Sequence, residues 1–246
     1  MLKIDYKQYP GRKISKIEFE LDETQKPIIS IITPYFNSQK YIEETANCIL
    51  NQTFPYWEWI IVDDGSEQKD ALLKLKEIEK MDNRIKVLHK NNAGAAEARD
   101  YGIEQSDKNT EYIMFLDSDD VLDKTYFECA YWTLQTHPEA SWTYTDTINF
   151  EGQKFLWRKW YNPDWELDEN LLTVTAMVRK KDLQEVGCFG LHEKKVYEDW
   201  YLWLKLIKNK KFPVRMSSLL TWYRVKPIEE SELKKSNAGN KKRALK

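Results

Sequence analysis

The chain has 246 residues, 41% of them apolar, which suits one α/β domain with a substantial core or two small domains. Its 38 basic and 40 acidic residues give a formal charge of −2, so overall charge offers no case for a nucleic-acid partner. Three scattered cysteines argue against a disulfide framework or a zinc site and predict reduced thiols. The sequence shows no secretory signal and no run near the roughly 18 apolar residues of a membrane helix, so we expect a cytoplasmic protein.

The first half of the chain alternates between strand and helix. Residues 1–27 are polar and are expected to form an N-terminal extension with one edge strand at residues 14–21. Strands are predicted at residues 28–33, 57–62, 84–89 and 112–116, and helices at residues 41–51, 72–79 and 95–105. The first strand is almost continuously β-branched, which indicates burial on both faces. This alternation predicts a parallel sheet with right-handed crossovers.

Three of these strands end in short segments that could contact a ligand. These strand ends carry Thr33-Pro34-Tyr35, Asp63-Asp64 and Asp117-Ser118-Asp119. Ligands of open α/β sheets bind beyond the carboxyl ends of the strands, so these three ends are expected to line one crevice. Asp117 and Asp119 flank a single residue, a spacing that can place two oxygen donors near one divalent cation. The alternative is a solvated turn before a helix, and on its own so short a motif favours that alternative.

The second half of the chain is less regular. A helix is predicted at residues 124–136, strands at residues 141–150 and 171–178, and a turn at residues 187–190. Residues 151–170 carry Trp157, Trp160 and Trp165 among charged residues. These rings would either stack on a sugar or form a lid beside the crevice, or they would simply cover the core.

A last amphipathic helix is predicted at residues 196–206, with Leu202, Trp203 and Leu206 on its apolar face. Glu198 and Asp199 stand at its start, where the helix dipole favours negative charge. On position alone, stabilisation of the helix end explains this acidic pair.

Five motifs in this order resemble glycosyltransferase family 2: IISIITPYFN, WEWIIVDDGS, NNAGAAEARDYGI, EYIMFLDSDD and YEDWYLWLKL. The resemblance implies the A-type glycosyltransferase (GT-A) fold, an α/β architecture with a Rossmann-like, mostly parallel sheet flanked by helices. It divides the chain into the extension (1–27), a glycosyltransferase domain (28–225) and a basic tail or linker (226–246). Within the domain, residues 28–120 would bind the nucleotide sugar, and residues 121–225 would bind the acceptor and carry the catalytic base.

The resemblance also implies roles for individual residues. Donor-nucleotide contacts are expected from Thr33, Pro34, Tyr35, Asp64, Arg99, Asp117 and Ser118. The ring of Tyr35 and the carboxylate of Asp64 would hold the base, and Arg99 would contact a phosphate or the ribose. Asp119, with Asp117, would bind Mn²⁺ or Mg²⁺, and Asp199 would be the catalytic base with Glu198 as its neighbour. Acceptor contacts are expected from Trp157, Trp160, Trp165, His192 and Trp200.

The implied reaction is inverting transfer of a sugar from a nucleotide-diphosphate donor, expected to be UDP-linked. The acceptor would be a hydroxyl group of a glycan, a lipid-linked sugar or a surface polysaccharide. The metal ion would neutralise charge on the departing diphosphate, and one carboxylate would take the acceptor proton. The chain lacks the membrane helices and the Gln-x-x-Arg-Trp motif of processive members, so we expect one or a few sugars to be added per encounter.

Two regions depart from the pattern or lie beyond it. Lys226 stands where many relatives have His, which puts a His-based metal ligand or phosphate contact there in doubt. The basic tail would be a flexible end, a linker to another domain of a longer glycosyltransferase, or a peripheral contact with the inner face of the membrane.

Two other functions compete with transfer. A sugar nucleotidyltransferase would need a Gly-rich phosphate loop after the first strand, and the segment TPYFNSQ contains no Gly. An inactive nucleotide-sugar-binding relative is disfavoured by the joint presence of Asp64, Asp119 and Asp199, although their presence does not demonstrate turnover.

Overall fold

The computed structural model describes residues 26–158, 160–190 and 197–226. The predicted edge strand at residues 14–21, His192, and the basic tail beyond Lys226 lie outside the described residues.

The N-terminal half, residues 29–115, consists of strands and helices in strict alternation. The strands are β1 (Ile29–Tyr35), β2 (Trp57–Asp63), β3 (Ile85–His89) and β4 (Tyr112–Phe115), and the helices are α1 (Ile42–Leu50), α2 (Lys69–Glu79) and α3 (Ala95–Gln105). The strands are ordered β3-β2-β1-β4, and each neighbouring pair is parallel. The prediction of a parallel sheet in this half is confirmed.

The second half extends the same sheet with strands of both directions. Its elements are β5 (Val121–Leu122), α4 (Tyr126–Thr136), β6 (Trp142–Glu151), β7 (Phe155–Trp157), α5 (Pro163–Glu166), β8 (Ala176–Arg179), α6 (Lys180–Glu185), α7 (Glu198–Lys208) and β9 (Pro213–Val225). The order continues β4-β8-β6-β9-β5, with β7 paired to β6. β8 is antiparallel to β4 and β6, whereas β9 runs parallel to β6. One continuous sheet therefore joins the two halves.

Helices cover both faces of this sheet. Ile29 and Ile31 of β1 pack in one cluster with α1, α2 and α4, and Ile32 packs in a second cluster with α3 and α7. α3 lies very close to the sheet, because a Cβ added at Gly102 would come 2.5 Å from Cγ2 of Ile32. This approach brings the arginine of α3, Arg99, beneath the edge where β1 and β4 end.

One prediction for the second half is wrong, and one long strand was not predicted. Residues 171–175 are not a strand; Leu171, Leu172 and Val174 pack into the core as a loop, and only Ala176–Arg179 pairs in the sheet. β9, with 13 residues the longest strand described, is not among the predicted elements. Its register against β6 shifts around Asp146, and such an irregularity interrupts the alternation by which strands are predicted.

Within the described ranges, none of the helices combines the length and the apolar character that crossing a bilayer requires.

Candidate active site

The three predicted strand ends meet at one edge of the sheet. Tyr35 at the end of β1 pairs with Asp63 at the end of β2, and the amide of Asp64 donates to the carbonyl of Tyr35 at 2.8 Å. On the other side of β1, the amide of Leu116 donates to the carbonyl of Ile32 at 3.2 Å, which carries β4 to the same edge. The three strand ends are therefore neighbours at one edge, and the expectation that they line one ligand crevice stays a prediction.

The side chains at the end of β1 do not all face this crevice. Tyr35 is buried, with its hydroxyl donating to the carbonyl of Ala71, and the buried Thr33 hydroxyl accepts from Nε1 of Trp59. Residues two apart in a strand share a face, so both side chains point into the core beneath the sheet. The prediction that the Tyr35 ring stacks on a base is therefore wrong, and any contact of Thr33 with the nucleotide would have to come from its backbone. Pro34, between them, is partly exposed.

The two carboxylates after β2 have different partners. Asp63 accepts from the amide of Ser66 at 2.9 Å and contacts Nδ1 of His89 at 2.8 Å, so it orders the turn. Asp64 is buried and accepts from the amides of Ala93 and Gly94 at 2.9 and 2.7 Å. The Lys90 ammonium contributes a third bond at 2.9 Å. Asp64 therefore fixes the loop that leads into α3.

The Asp117–Asp120 turn is held from the opposite strand, β9. The backbone amide of Arg224 donates to the buried carboxylate of Asp120 at 3.0 Å, and Nε of Arg224 donates to the carbonyl of Asp119 at 2.8 Å. Nζ of Lys226 lies 2.6 Å from Oδ2 of Asp119. Burial raises the pKa of Asp119, and the Lys226 charge partly offsets that rise. The turn is thus an anchored element of the fold rather than a solvated bend. Ser118 also donates to the hydroxyl of Ser38 beyond β1.

Arg99 joins the aspartate turn after β4 to the start of α7. Its guanidinium is 2% exposed, and it donates from Nη2 to Asp117 at 2.6 Å and from Nη1 to Glu198 at 2.9 Å. Burial opposes the charge, but the two carboxylates outweigh burial and raise the pKa of Arg99. Arg99 therefore organises two acidic residues of the site, instead of presenting its Nη atoms to the crevice as the predicted phosphate or ribose contact requires.

Glu198 and Asp199 point to different partners at the start of α7. The residue before them, Tyr197, has a left-handed backbone (φ 68°), which is strained for a tyrosine. While Glu198 binds Arg99, Oδ2 of Asp199 accepts from the Asn170 amide group at 3.2 Å. Burial, followed by repulsion from Glu198, raises the pKa of Asp199 to about 7. A carboxylate with this pKa can take up a proton near neutral pH.

Three residues that contribute to this arrangement were not predicted. Asn170 orients Asp199, and Arg224 holds the aspartate turn. Tyr223 is partly buried, and its pKa is raised by burial and by the carboxylates of Asp120, Asp117, Asp119 and Asp199. Tyr223 is therefore near enough to the aspartate turn and to Asp199 for their charges to act on it. Only the course of β9 reveals this position, and β9 has no clear signal in the sequence.

Comparison with known proteins identifies the chain. Residues 30–200 match the family model described as glycosyl transferase family 2. The chain belongs to this family.

Relatives within family 2 come from several bacteria. The putative teichuronic acid biosynthesis glycosyltransferase TuaG of Bacillus subtilis is 43% identical over 104 residues, which cover 42% of this chain and 40% of TuaG. The O-antigen biosynthesis protein RfbC of Myxococcus xanthus is 26% identical over 190 residues, 75% of this chain but 15% of RfbC. The chain therefore matches less than half the length of these relatives.

A solved structure of Staphylococcus aureus TarS, residues 1–349 in complex with UDP-GlcNAc, superimposes with a TM-score of 0.69 at 23% identity. The match covers 86% of this chain and 61% of the TarS chain. This likeness confirms the predicted α/β, GT-A-type fold.

Family 2 members often use a divalent cation, and the residues here fit one only in part. Among the described residues, no three His, Cys, Asp or Glu side chains lie together as a metal site. One oxygen of Asp117 is bound to Arg99, and one oxygen of Asp119 is bound to Lys226. Mg²⁺ is commonly held by one or two carboxylates together with substrate phosphates. These carboxylates therefore suit a cation that arrives with a phosphate ligand.

The predicted acceptor residues lie in two settings. Trp160 and Trp165 are 72% and 62% exposed, which excludes the alternative that these two rings simply cover the core. The Arg215 guanidinium lies 4.4 Å from the centre of the Trp160 ring. Trp157 and Trp200 are half-buried, and Nε1 of Trp200 donates to the carbonyl of Glu166 at 2.6 Å. This bond ties α5, which carries Trp165, to the helix that begins with Glu198.

Proposed function

We propose that this family 2 chain is an inverting glycosyltransferase, with residues 28–120 binding a nucleotide-diphosphate sugar and residues 121–225 binding the acceptor. The observation that carries the proposal is the Arg99 bridge. A single guanidinium contacts Asp117 at the end of β4 and Glu198, the neighbour of Asp199. A carboxylate on the donor side and a candidate base near pKa 7 therefore belong to the same crevice.

The comparisons support a donor and an acceptor class. A UDP-linked sugar is proposed as the donor, because TarS was solved with UDP-GlcNAc. The names of TuaG and RfbC refer to teichuronic acid and O-antigen biosynthesis, which supports a glycan, lipid-linked sugar or surface polysaccharide as acceptor. The proposed location of the reaction is the cytoplasm, at the inner face of the membrane.

The chemistry assigned to the chain is proton transfer and positioning. Asp199 takes the proton of the acceptor hydroxyl as that oxygen forms a bond to the anomeric carbon. The bond from this carbon to the diphosphate breaks on the opposite face, so the configuration inverts and the diphosphate keeps the bonding electrons. Asn170 orients Asp199, and Arg99 binds the neighbouring Glu198. A Mn²⁺ or Mg²⁺ ion bound by Asp119 and Asp117 would act as a Lewis acid toward the diphosphate.

The pH dependence of transfer should follow Asp199. Its pKa is raised to about 7, and a base acts only when it is deprotonated. The single-turnover rate at saturating donor is therefore expected to fall about tenfold per unit as pH drops below 7, and to level off above about pH 8. Transfer of a labelled sugar, measured across this range beside donor affinity, tests the expectation. A rate that does not change between pH 5.5 and 8 would remove Asp199 from the role of base.

Asp64→Ala is expected to weaken binding of the nucleotide sugar by about 1–3 kcal/mol. This is the usual cost of leaving a buried hydrogen-bonding group without its partner. Because the amides of Ala93 and Gly94 lose their acceptor, the melting temperature should fall as well. Calorimetric titration with UDP and a thermal melt measure both effects, with the exposed Asp70→Ala on α2 as control. If Asp64→Ala binds donor normally but fails in transfer, Asp64 belongs to the chemical step instead.

The proposed function is tested by UDP binding and by hydrolysis of a panel of nucleotide sugars, each with and without Mn²⁺. We expect Mn²⁺ to tighten UDP binding to the wild type. In Asp119→Ala, Mn²⁺ should no longer tighten UDP binding, although the fold of this variant should be retained. Binding without hydrolysis or transfer for any donor would indicate the inactive relative. Release of pyrophosphate from a nucleoside triphosphate and a sugar phosphate would indicate the nucleotidyltransferase. Unchanged Mn²⁺ dependence in Asp119→Ala would contradict the metal assignment alone.

A further inference from the structure

We propose that Lys226 is a donor-binding residue whose ammonium group binds the diphosphate of the nucleotide sugar, so that the protein has affinity for a nucleoside diphosphate without a metal ion. This inference rests on the proposed function, since it concerns the same donor. It adds a residue that the predicted site does not contain.

The position of Lys226 is the first support. It follows β9 directly, and its Nζ lies 2.6 Å from Oδ2 of Asp119, the carboxylate proposed to meet the donor's metal ion. Nζ also lies 5.5 Å from the centre of the Tyr41 ring. The charge therefore stands at the edge where β1, β2 and β4 end, which is where ligands of open α/β sheets bind.

The remaining hydrogen-bonding capacity of Lys226 is the second support. Three cations contact the aspartate turn in the described part of the chain. The side chains of Arg99 and Arg224 are 2% and 1% exposed, and both are committed to carboxylates, whereas Lys226 is 25% exposed. An ammonium group has three N–H donors on a flexible stem, and the contact with Asp119 uses one of them. Lys226 is thus the cation of this set that an incoming phosphate can reach.

The chemistry of an ammonium group is the third support. A histidine at this position could ligate a metal ion through a neutral nitrogen, but a protonated lysine has no lone pair to offer. A divalent cation at Asp119 would instead repel Lys226 and compete with it for the carboxylate. The ammonium group and a divalent cation would both bind the phosphate oxygens. Lys226 can therefore neutralise part of the charge of a diphosphate when metal is absent. A metal ion that binds Asp119 must first displace Lys226 from this carboxylate.

The test compares UDP affinity in EDTA and in saturating Mn²⁺ for wild type, Lys226→Met and Lys226→Arg. In EDTA, the wild type should bind UDP. Lys226→Met should bind UDP about tenfold or more weakly than the wild type, because its side chain cannot form a charge-assisted hydrogen bond. Lys226→Arg, which can still form such a bond, should stay within about threefold of the wild type. With Mn²⁺, Lys226→Met should lose much less UDP affinity, since the metal ion supplies the positive charge that faces the diphosphate. Binding of Mn²⁺ alone, followed by its electron paramagnetic resonance signal, should be tighter in Lys226→Met.

Lys86→Met is the matched control. Lys86 lies 2.6 Å from a carboxylate oxygen of Glu58, so the ion pair has the same length, but it stands at the opposite edge of the sheet, where β2 and β3 begin. This variant should leave UDP affinity unchanged in both conditions.

Several outcomes would overturn the assignment of Lys226 while leaving the proposed function intact. One such outcome is that the wild type and Lys226→Met bind UDP equally well in EDTA. Another is that the wild type binds UDP only with Mn²⁺. An equal loss in both conditions with a lower melting temperature would show that Lys226 only stabilises the turn. Failure of the wild type to bind UDP in either condition would instead overturn the proposed UDP donor, and this inference with it.

Discussion

Replacing Asp199 by Asn is expected to lower the rate of sugar transfer about 100-fold or more, the usual contribution of a general base. Asn has the shape of Asp but cannot accept the acceptor proton at its amide. It can still accept from the amide of Trp200, which donates to Asp199 at 2.8 Å, so the start of α7 should survive. Donor affinity and melting temperature should therefore stay near wild-type values. Single-turnover transfer beside UDP titration and thermal melting measures all three.

Glu198→Gln is the control supplied by the chain itself. Glu198 is turned to Arg99 rather than to Asn170, so its replacement should lower transfer less than Asp199→Asn does. Because Glu198 raises the pKa of Asp199, the midpoint of the pH profile should also move downward in Glu198→Gln. Near-normal transfer by Asp199→Asn would show that Asp199 is not the general base, and Glu198 would become the next candidate.

Replacing Arg99 by Met should cost about 3 kcal/mol of folding stability. Removal of one partner from a buried ion pair typically costs about 3–5 kcal/mol, because the remaining charge is left uncompensated. Asp117 and Glu198 are 30% and 21% exposed, so water partly compensates them and the lower end of the range applies. Denaturant unfolding of both proteins measures the loss.

The Arg99 variant should also change the pH profile of transfer. Arg99 lowers the pKa of Asp199, so its removal should move the midpoint to higher pH. The double variant Arg99→Met/Glu198→Gln should recover part of the lost stability, since one unpaired charge is gone. If Arg99→Met has wild-type stability and an unshifted pH midpoint, the contacts of Arg99 with Asp117 and Glu198 contribute little to folding or to the pKa of Asp199.

The sequence predicts the strands and helices of the N-terminal half well because their signals are local. The β-branched run of β1 and the helical spacing of α3 each appear within a single segment, and α3 matches its predicted bounds, residues 95–105. The second half depends on pairing between distant segments. β9 pairs with β6 from more than 60 residues away and changes register around Asp146, and neither property shows in a local pattern.

The site shows the same division. Asp119 and Asp199 follow from motifs in the sequence, and their roles remain predictions until the variants are made. The burial of Tyr35, by contrast, depends on which face of β1 meets α2. The ion pair of Lys226 with Asp119 and the bond from Asn170 to Asp199 each join residues from separate elements. Only the assembled fold brings these partners together.

The continuous sheet limits how substrates enter and leave. β4 of the N-terminal half and β8 of the C-terminal half are paired over four residues, from Tyr112 with Arg179 to Phe115 with Ala176. Rotating one half away from the other would break these backbone hydrogen bonds, so the two halves cannot separate by a hinge motion. In the proposed transferase, entry and exit of donor, acceptor and product would instead depend on movements of side chains at the rim of the crevice, such as Lys226 and Trp165. The pace of the catalytic cycle would then be set by these small movements rather than by domain closure.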